Sequence, residues 1–149
     1  MSNFIVKVDS LGDHGCDFTV IKCIDPRFRK PDQQFIENGL GIEHFALYSW
    51  PGAAKNILKN KNFREELLNN LKSVSIDLHN IKKLLLLWHW DCGAYGGSKK
   101  FSSDDEEETL YRDDMQTVKS RLVEELPAYI EIIMAYSKKT KQGLEYIIV

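Results

Sequence analysis

The sequence lacks the features that mark a membrane or secreted protein. No apolar run approaches the roughly 20 residues that a helix needs to cross a bilayer. Residues 1–9 lack the basic start and the long apolar core of a signal peptide. We therefore expect a cytoplasmic protein with no membrane partner.

An excess of charge of one sign is also missing. Lys and Arg total 20 and Asp and Glu total 22, which gives a formal net charge of -2. No chain-wide positive field would attract nucleic acid or anionic lipid. We expect a small-molecule substrate and no nucleic acid, and we interpret Trp88 and Trp90 as packing residues rather than as a platform for bases.

Cysteine is scarce and odd in number. Three cysteines in a chain without a secretion signal argue against a disulfide framework and favour reduced thiols that are free for metal binding or chemistry.

Internal repeats, low-complexity tracts and linkers are absent from the sequence. The chain has 149 residues, 43% of them hydrophobic, which predicts a single domain over residues 1–149.

Strand and helix patterns alternate along the chain. Apolar and β-branched runs predict strands at residues 18–22, 43–49, 84–88, 129–136 and 144–149, the last two joined by a hairpin. Apolar spacings of three and four predict helices at residues 62–78 and after residue 104, and a short polar helix is predicted at residues 32–38. The result is an α/β fold: a mainly parallel sheet of about four strands with helices on both faces and an antiparallel C-terminal edge strand.

The last predicted helix begins with an acidic run at residues 104–108. Carboxylates at a helix N-terminus are stabilised by the helix dipole, so we interpret the run as a solvated helix start. Leu110, Met115, Val118 and Leu122 supply the predicted apolar face of this helix.

Two clusters of reactive side chains follow predicted strands. Cys23, Asp25 and Arg27 leave the first strand, and His89 and Cys92 leave the third. A flavodoxin-like strand order would place these strands side by side, with both clusters at their carboxyl ends. Two thiolates and one imidazole suit zinc, and three protein ligands leave the fourth tetrahedral position open.

Simpler interpretations exist for the same residues. Cys23 and Cys92 would then be two inert core thiols, and Asp25 and Arg27 an ion pair that supports a turn. Cys16 and His14 match no common ligand spacing and are interpreted as incidental. The glycine-rich residues 93–99 lack the phosphate-loop spacing, so we expect a loop that brings the backbone close to the metal pocket.

The motif Cys-x-Asp-x-Arg followed by His-x-x-Cys-Gly resembles the paired motifs of β-class carbonic anhydrases. Residues 51–55 are similar to the small-residue loop of that family, and the resemblance covers roughly residues 18–149. It implies that Cys23, His89 and Cys92 hold Zn2+. It also implies that Asp25, paired with Arg27, orients a zinc-bound hydroxide that attacks CO2 to give bicarbonate.

The resemblance also implies a lyase that forms a homodimer. Only about 17 residues precede the first strand, whereas family members carry N-terminal helices that embrace a partner subunit.

Two alternative functions stay open: a zinc-dependent hydrolase of another small substrate, or a non-catalytic zinc-binding protein in which Asp25 closes the fourth position.

Overall fold

The computed structural model describes residues 5–149 and contains one five-stranded sheet. Its strands are β1 (Phe18–Cys23), β2 (Phe45–Trp50), β3 (Lys83–His89), β4 (Glu131–Lys139) and β5 (Leu144–Ile148). The helices are α1 (Arg29–Gln34), α2 (Asn56–Lys59), α3 (Lys61–Asn70) and α4 (Asp104–Glu125). None of the helices within residues 5–149 combines the length and the apolarity needed to cross a membrane.

The strand order is β2-β1-β3-β4-β5, in which the first four strands are parallel and β5 runs antiparallel to β4. The predicted α/β fold, with its mainly parallel sheet and antiparallel C-terminal edge, is confirmed. Strands β1 and β3 are direct neighbours, so the carboxyl ends that carry the two clusters lie side by side.

Strand β3 is central because its side chains are apolar on both faces. Leu84 to Leu87 are each at most 1% exposed. Leu84, Leu86 and Trp88 pack in one core cluster, and Leu85 and Leu87 pack in the other. Burying each leucine stabilises the fold by about 1.5–3 kcal/mol, which gives the continuous apolar run its position between β1 and β4.

Helices cover the two faces of the sheet unequally. Helices α3 and α4 cover the larger cluster, and α4 contributes Tyr111, Met115, Val118 and Leu122 at spacings of four and three. Leu110, which was predicted to lie on this apolar face, is 36% exposed. The adjacent Tyr111 is fully buried instead. The buried stripe of α4 is formed by Tyr111, Met115, Val118 and Leu122, and position 110 lies outside it.

The opposite face is covered by a helical segment that follows β1. It consists of a 3-10 turn (Pro26–Phe28), α1, and a π-helical turn (Phe35–Gly39), so helix begins earlier than the predicted residue 32. A buried ion pair fixes it to the sheet: Lys22 Nζ lies 2.6 Å from Asp32 Oδ2, and the Tyr146 hydroxyl donates to Asp32 Oδ1 at 2.8 Å.

The helix predicted at residues 62–78 is present as α3 followed by a π-helical turn, Leu71–Ile76. Asn60 caps its start, because its side-chain oxygen accepts from Phe63 N at 3.0 Å.

The acidic run at the start of α4 is only partly solvated. Ser103 is the N-cap and accepts from Glu106 N, and Asp104 to Glu106 are exposed as predicted. Glu107 is 1% exposed, so the prediction of a wholly solvated start is wrong at this position. Its carboxylate points into the protein because three hydrogen-bond donors converge on it.

Candidate metal centre

The two predicted clusters meet at the carboxyl ends of β1 and β3. Cys23 is the last residue of β1 and His89 the last residue of β3, while Cys92 lies in the loop that follows His89. One potential ligand atom from each of these side chains falls within 4.8 Å of the others. All three residues are buried, with exposed fractions of 5%, 2% and 2%.

The sulfur separation matches a tetrahedral zinc site. Cys23 Sγ and Cys92 Sγ are 3.9 Å apart, far beyond the length of a disulfide bond. Two Zn–S bonds of about 2.3 Å at the tetrahedral angle place the sulfurs about 3.8 Å apart. The two thiols are therefore spaced to bind one ion.

The imidazole of His89 has one nitrogen engaged and the other without a partner. Nδ1 lies 2.8 Å from the carbonyl oxygen of Trp90, which can only accept, so Nδ1 carries the proton. Nε2 is buried and has no hydrogen-bond partner among the described residues. The Phe28 ring packs against the imidazole at 4.0 Å between centroids, tilted by 34°, and limits its rotation. The hydrogen bond from His89 Nδ1 to the Trp90 carbonyl selects the tautomer whose Nε2 lone pair can bind a metal.

Gly52 supports the Cys23 thiol from the loop after β2. Its backbone N–H donates to Cys23 Sγ at 3.3 Å, and it has the left-handed φ of 76°. A Cβ at this position would lie 2.8 Å from the Cβ of Ala94. The small-residue loop predicted at residues 51–55 is thus one in which the backbone approaches the site closely.

Without metal, the two thiols lie within hydrogen-bond distance of each other, and either sulfur can hold the proton between them. The hydrogen bond from Cys92 lowers the pKa of Cys23, whereas the interaction with Cys23, together with burial, raises the pKa of Cys92. A bound zinc ion would favour both thiolates and displace that proton. The donor set therefore fits zinc in both spacing and chemistry.

Asp25 and Arg27 form the predicted pair beside the thiols. The guanidinium binds the carboxylate in a forked arrangement, with Nε 3.0 Å from Oδ1 and Nη2 2.7 Å from Oδ2. Asp25 also caps the turn after β1, since Oδ1 accepts from Arg27 N at 2.9 Å. The hydrogen bonds from Arg27 lower the pKa of Asp25 and keep it ionised.

Asp91 is a second partner of Arg27, which sequence reasoning did not identify. Arg27 Nη1 lies 2.7 Å from Asp91 Oδ2, and Nη2 donates to the Asp91 carbonyl at 2.9 Å. Asp91 has a left-handed φ of 54°, a conformation that Asp and Asn tolerate better than most residues. Asp91 lies between His89 and Cys92 in the His-x-x-Cys motif, and this position was a sequence signal that it belongs to the site.

Glu107 and Tyr111 were also missed. Glu107 Oε1 accepts from Asp91 N at 2.8 Å, and the Tyr111 hydroxyl lies 3.3 Å from Cys92 N. The available signal was position: Glu107 lies four residues before Tyr111, on the stripe that continues through the apolar positions of α4.

The other residues weighed from sequence supply no ligand atom to the Cys23–His89–Cys92 group found among the described residues. Cys16 lies before the opposite end of β1, and its thiol donates to Phe18 O at 3.2 Å. Trp88 packs in the core with its Nε1 3.0 Å from Tyr95 Oη. Residues 93–100 form two 3-10 turns, and Tyr95 N and Gly97 N both donate to the carbonyl of Cys92.

Comparisons with known proteins find a matching family and similar chains. Residues 14–141 match the model of a family described as "Putative carbonic anhydrase". An uncharacterized Rickettsia conorii protein is 29% identical over 98 residues, which is 61% of this chain and 52% of that protein. An uncharacterized Rickettsia bellii protein is 26% identical over 133 residues, covering 83% and 80% of the two chains. The matched part thus spans about half the length of the first relative.

One solved structure is also similar. It is the beta-carbonic anhydrase isoform I of the protozoan Trichomonas vaginalis, with a TM-score of 0.43 and 13% identity over 98% of this chain and 88% of that one.

Proposed function

Because the chain belongs to the family described as "Putative carbonic anhydrase", we propose that it is a zinc-dependent lyase that hydrates CO2 to bicarbonate. The observation that carries the proposal is the buried Nε2 of His89, which has no hydrogen-bond partner among residues 5–149, beside two thiols spaced for one tetrahedral ion. Cys23, His89 and Cys92 would hold the zinc. When bound, zinc would supply a Lewis acid that lets water ionise near neutral pH, as CO2 hydration requires.

Asp25 and Arg27 act on the reacting water in this proposal. Asp25 is held ionised and in one direction by the forked guanidinium, so it can accept a hydrogen bond and fix the orientation of that water. Arg27 is the positioning residue, because it acts through Asp25. Its side chain is 52% exposed, which leaves it hydrated on the outer side of the site.

Two observations favour CO2 over the alternatives. The three proposed ligands are almost fully buried, which favours a very small substrate over an ester with bulky groups. Both carboxylate oxygens of Asp25 are engaged by Arg27, and this pairing supports a site that Asp25 does not close. A zinc-dependent hydrolase of another small substrate and a non-catalytic zinc protein are the competing functions. The homodimer, the single domain of residues 1–149 and the cytoplasmic location are further parts of the proposal.

The test is stopped-flow CO2 hydration between about pH 6.5 and 9 on protein whose zinc content has been measured. We expect about one zinc per chain and zinc-dependent turnover. Turnover should be lost in Asp25→Ala and in Cys92→Ser. Cys16→Ser is the matched control: it removes a thiol outside the ligand group and should retain both zinc and turnover.

The outcomes separate the candidate functions. Stoichiometric zinc without CO2 turnover at any pH would eliminate the lyase, and ester hydrolysis by the same protein would then favour the hydrolase. No zinc in the unsubstituted protein would eliminate all three.

A further inference from the structure

A buried carboxylate in the first turn of α4 contacts the loop that carries Cys92. Glu107 is 1% exposed, and its oxygens accept from Asp91 N at 2.8 Å and from the hydroxyls of Tyr111 and Ser98, each at 2.5 Å. Each of these donors is neutral. A carboxylate is an acceptor-only group, and here it satisfies three donors at once.

The same group of residues fixes two consecutive backbone amides of the His-x-x-Cys motif. Glu107 binds the amide of Asp91, and the Tyr111 hydroxyl, itself bound to Glu107, lies 3.3 Å from the amide of Cys92. Asp91 Oδ1 accepts from Ser98 N at 2.8 Å and closes the loop. Asp91 has a left-handed φ of 54°, so the loop needs such contacts to stay in this conformation.

The contacts continue from this loop to the other cluster. The carboxylate of Asp91 binds Arg27 Nη1 at 2.7 Å, and Arg27 in turn holds Asp25. Glu107 is therefore joined to Cys92 through Tyr111 and to the Asp25–Arg27 pair through Asp91. Glu107 thus contacts both Tyr111, which binds the amide of Cys92, and Asp91, which binds Arg27.

We propose that Glu107 is a second positioning residue of the metal centre: it holds the His-x-x-Cys loop in its metal-binding conformation and, through Asp91, places Arg27. This inference rests on the proposed zinc binding. Groups that orient metal ligands through hydrogen bonds commonly change metal affinity about 10- to 100-fold when they are replaced. Glu107 differs from its neighbours Asp104 to Glu106, which are exposed and serve the helix start.

The test compares Glu107→Gln with Glu106→Gln. Both remove one carboxylate from the same turn of α4, but Glu106 is exposed, and its carboxylate accepts from the backbone N–H and the hydroxyl of Ser102 at the helix start. Zinc affinity is measured by competition with a chelator. The visible spectrum at saturating Co2+ reports ligand geometry, which a merely stabilising side chain would leave unchanged.

We expect Glu107→Gln to weaken zinc binding about 10- to 100-fold and to alter the cobalt spectrum. Glu106→Gln should stay within about twofold of the unsubstituted protein by the same scale. A folded Glu107→Gln protein with unchanged affinity and spectrum would overturn the proposal. If Glu107→Gln does not fold, Tyr111→Phe decides, because it removes the hydroxyl beside Cys92 N and keeps the carboxylate. Weaker zinc binding in Tyr111→Phe would support the proposal, and unchanged binding would overturn it.

Failure of this inference differs from failure of the proposed function. If the unsubstituted protein hydrates CO2 and Glu107→Gln binds zinc equally well, only the positioning role is wrong. If the unsubstituted protein binds zinc but does not hydrate CO2, affinity and spectrum still test the positioning role.

Discussion

Replacing Asp32 with alanine should destabilise the protein strongly. Asp32 is 2% exposed and the side chain of Lys22 is 10% exposed, so the pair is shielded from water. Without the carboxylate, the partner that Lys22 Nζ keeps among the described residues is the Phe28 carbonyl, at 3.4 Å, and the Tyr146 hydroxyl loses its acceptor. Breaking one side of a buried ion pair costs about 3–5 kcal/mol, because the remaining charge stays buried.

Urea unfolding followed by circular dichroism measures this loss. With a denaturant slope of about 2 kcal/mol per molar urea, a loss of 3–5 kcal/mol lowers the midpoint by about 1.5–2.5 M. Glu131→Ala is the control: it breaks the Lys83–Glu131 bridge, whose side chains are 41% and 57% exposed, and it should cost at most about 1 kcal/mol.

The double variant Lys22→Met, Asp32→Leu separates charge from packing. It removes both charges and restores apolar volume, so we expect stability within about 1–2 kcal/mol of the unsubstituted protein. Equal midpoints for Asp32→Ala and Glu131→Ala would refute the reasoning, since the buried pair would then be no costlier to break than a hydrated one.

Three further predictions concern the site and its supports. Gly52→Ala should weaken zinc binding and lower the melting temperature, because φ is 76° and the new Cβ would meet Ala94 at 2.8 Å; an unchanged zinc titration would contradict this. Arg27→Lys should cost less than about 1 kcal/mol in urea unfolding, as the guanidinium is half exposed, yet reduce CO2 turnover at least tenfold through loss of the forked contact. The hydrogen bond from Lys138 lowers the pKa of Glu108 below its ordinary value of 4.5. The ionised carboxylate therefore stabilises the fold above pH 4.5, and this contribution is lost as the pH falls through the lowered pKa of the folded protein. Glu108→Gln should flatten the acid side of the stability profile, and an identical profile would exclude this ion pair as a cause.

The adjacency of β1 and β3 and the meeting of Cys23, His89 and Cys92 could be predicted because local patterns encode them. A four-leucine run followed directly by His89 identifies a buried strand and the residue at its carboxyl end. Two such strand ends with zinc-type ligands can meet only if the strands are neighbours. The observed order makes β1 and β3 neighbours.

The buried carboxylates could not be predicted in the same way, because apolar periodicity ignores charged residues. The sequence pattern predicts a polar helix at Asp32 and a solvated helix start at Glu107, yet both residues lie on the buried stripes of their helices. Asp32 is four residues after buried Phe28 and four before buried Ile36, and Glu107 is four residues before buried Tyr111. A charged residue at helical spacing from buried apolar residues is a sequence signal for burial, and this signal was not used.

These two carboxylates lie on opposite faces of the sheet, and each secures one segment beside the proposed metal ligands. Asp32 fixes the segment after Cys23, whose Phe28 packs on His89, and Glu107 fixes the loop that carries Cys92. Burying a charge costs several kcal/mol unless it is well paired, so apolar residues would stabilise these positions at least as well. Lys22→Met, Asp32→Leu should therefore keep the fold while loosening Phe28 against His89. A fall in zinc affinity without a fall in stability would show that the Lys22–Asp32 ion pair serves the geometry of the site.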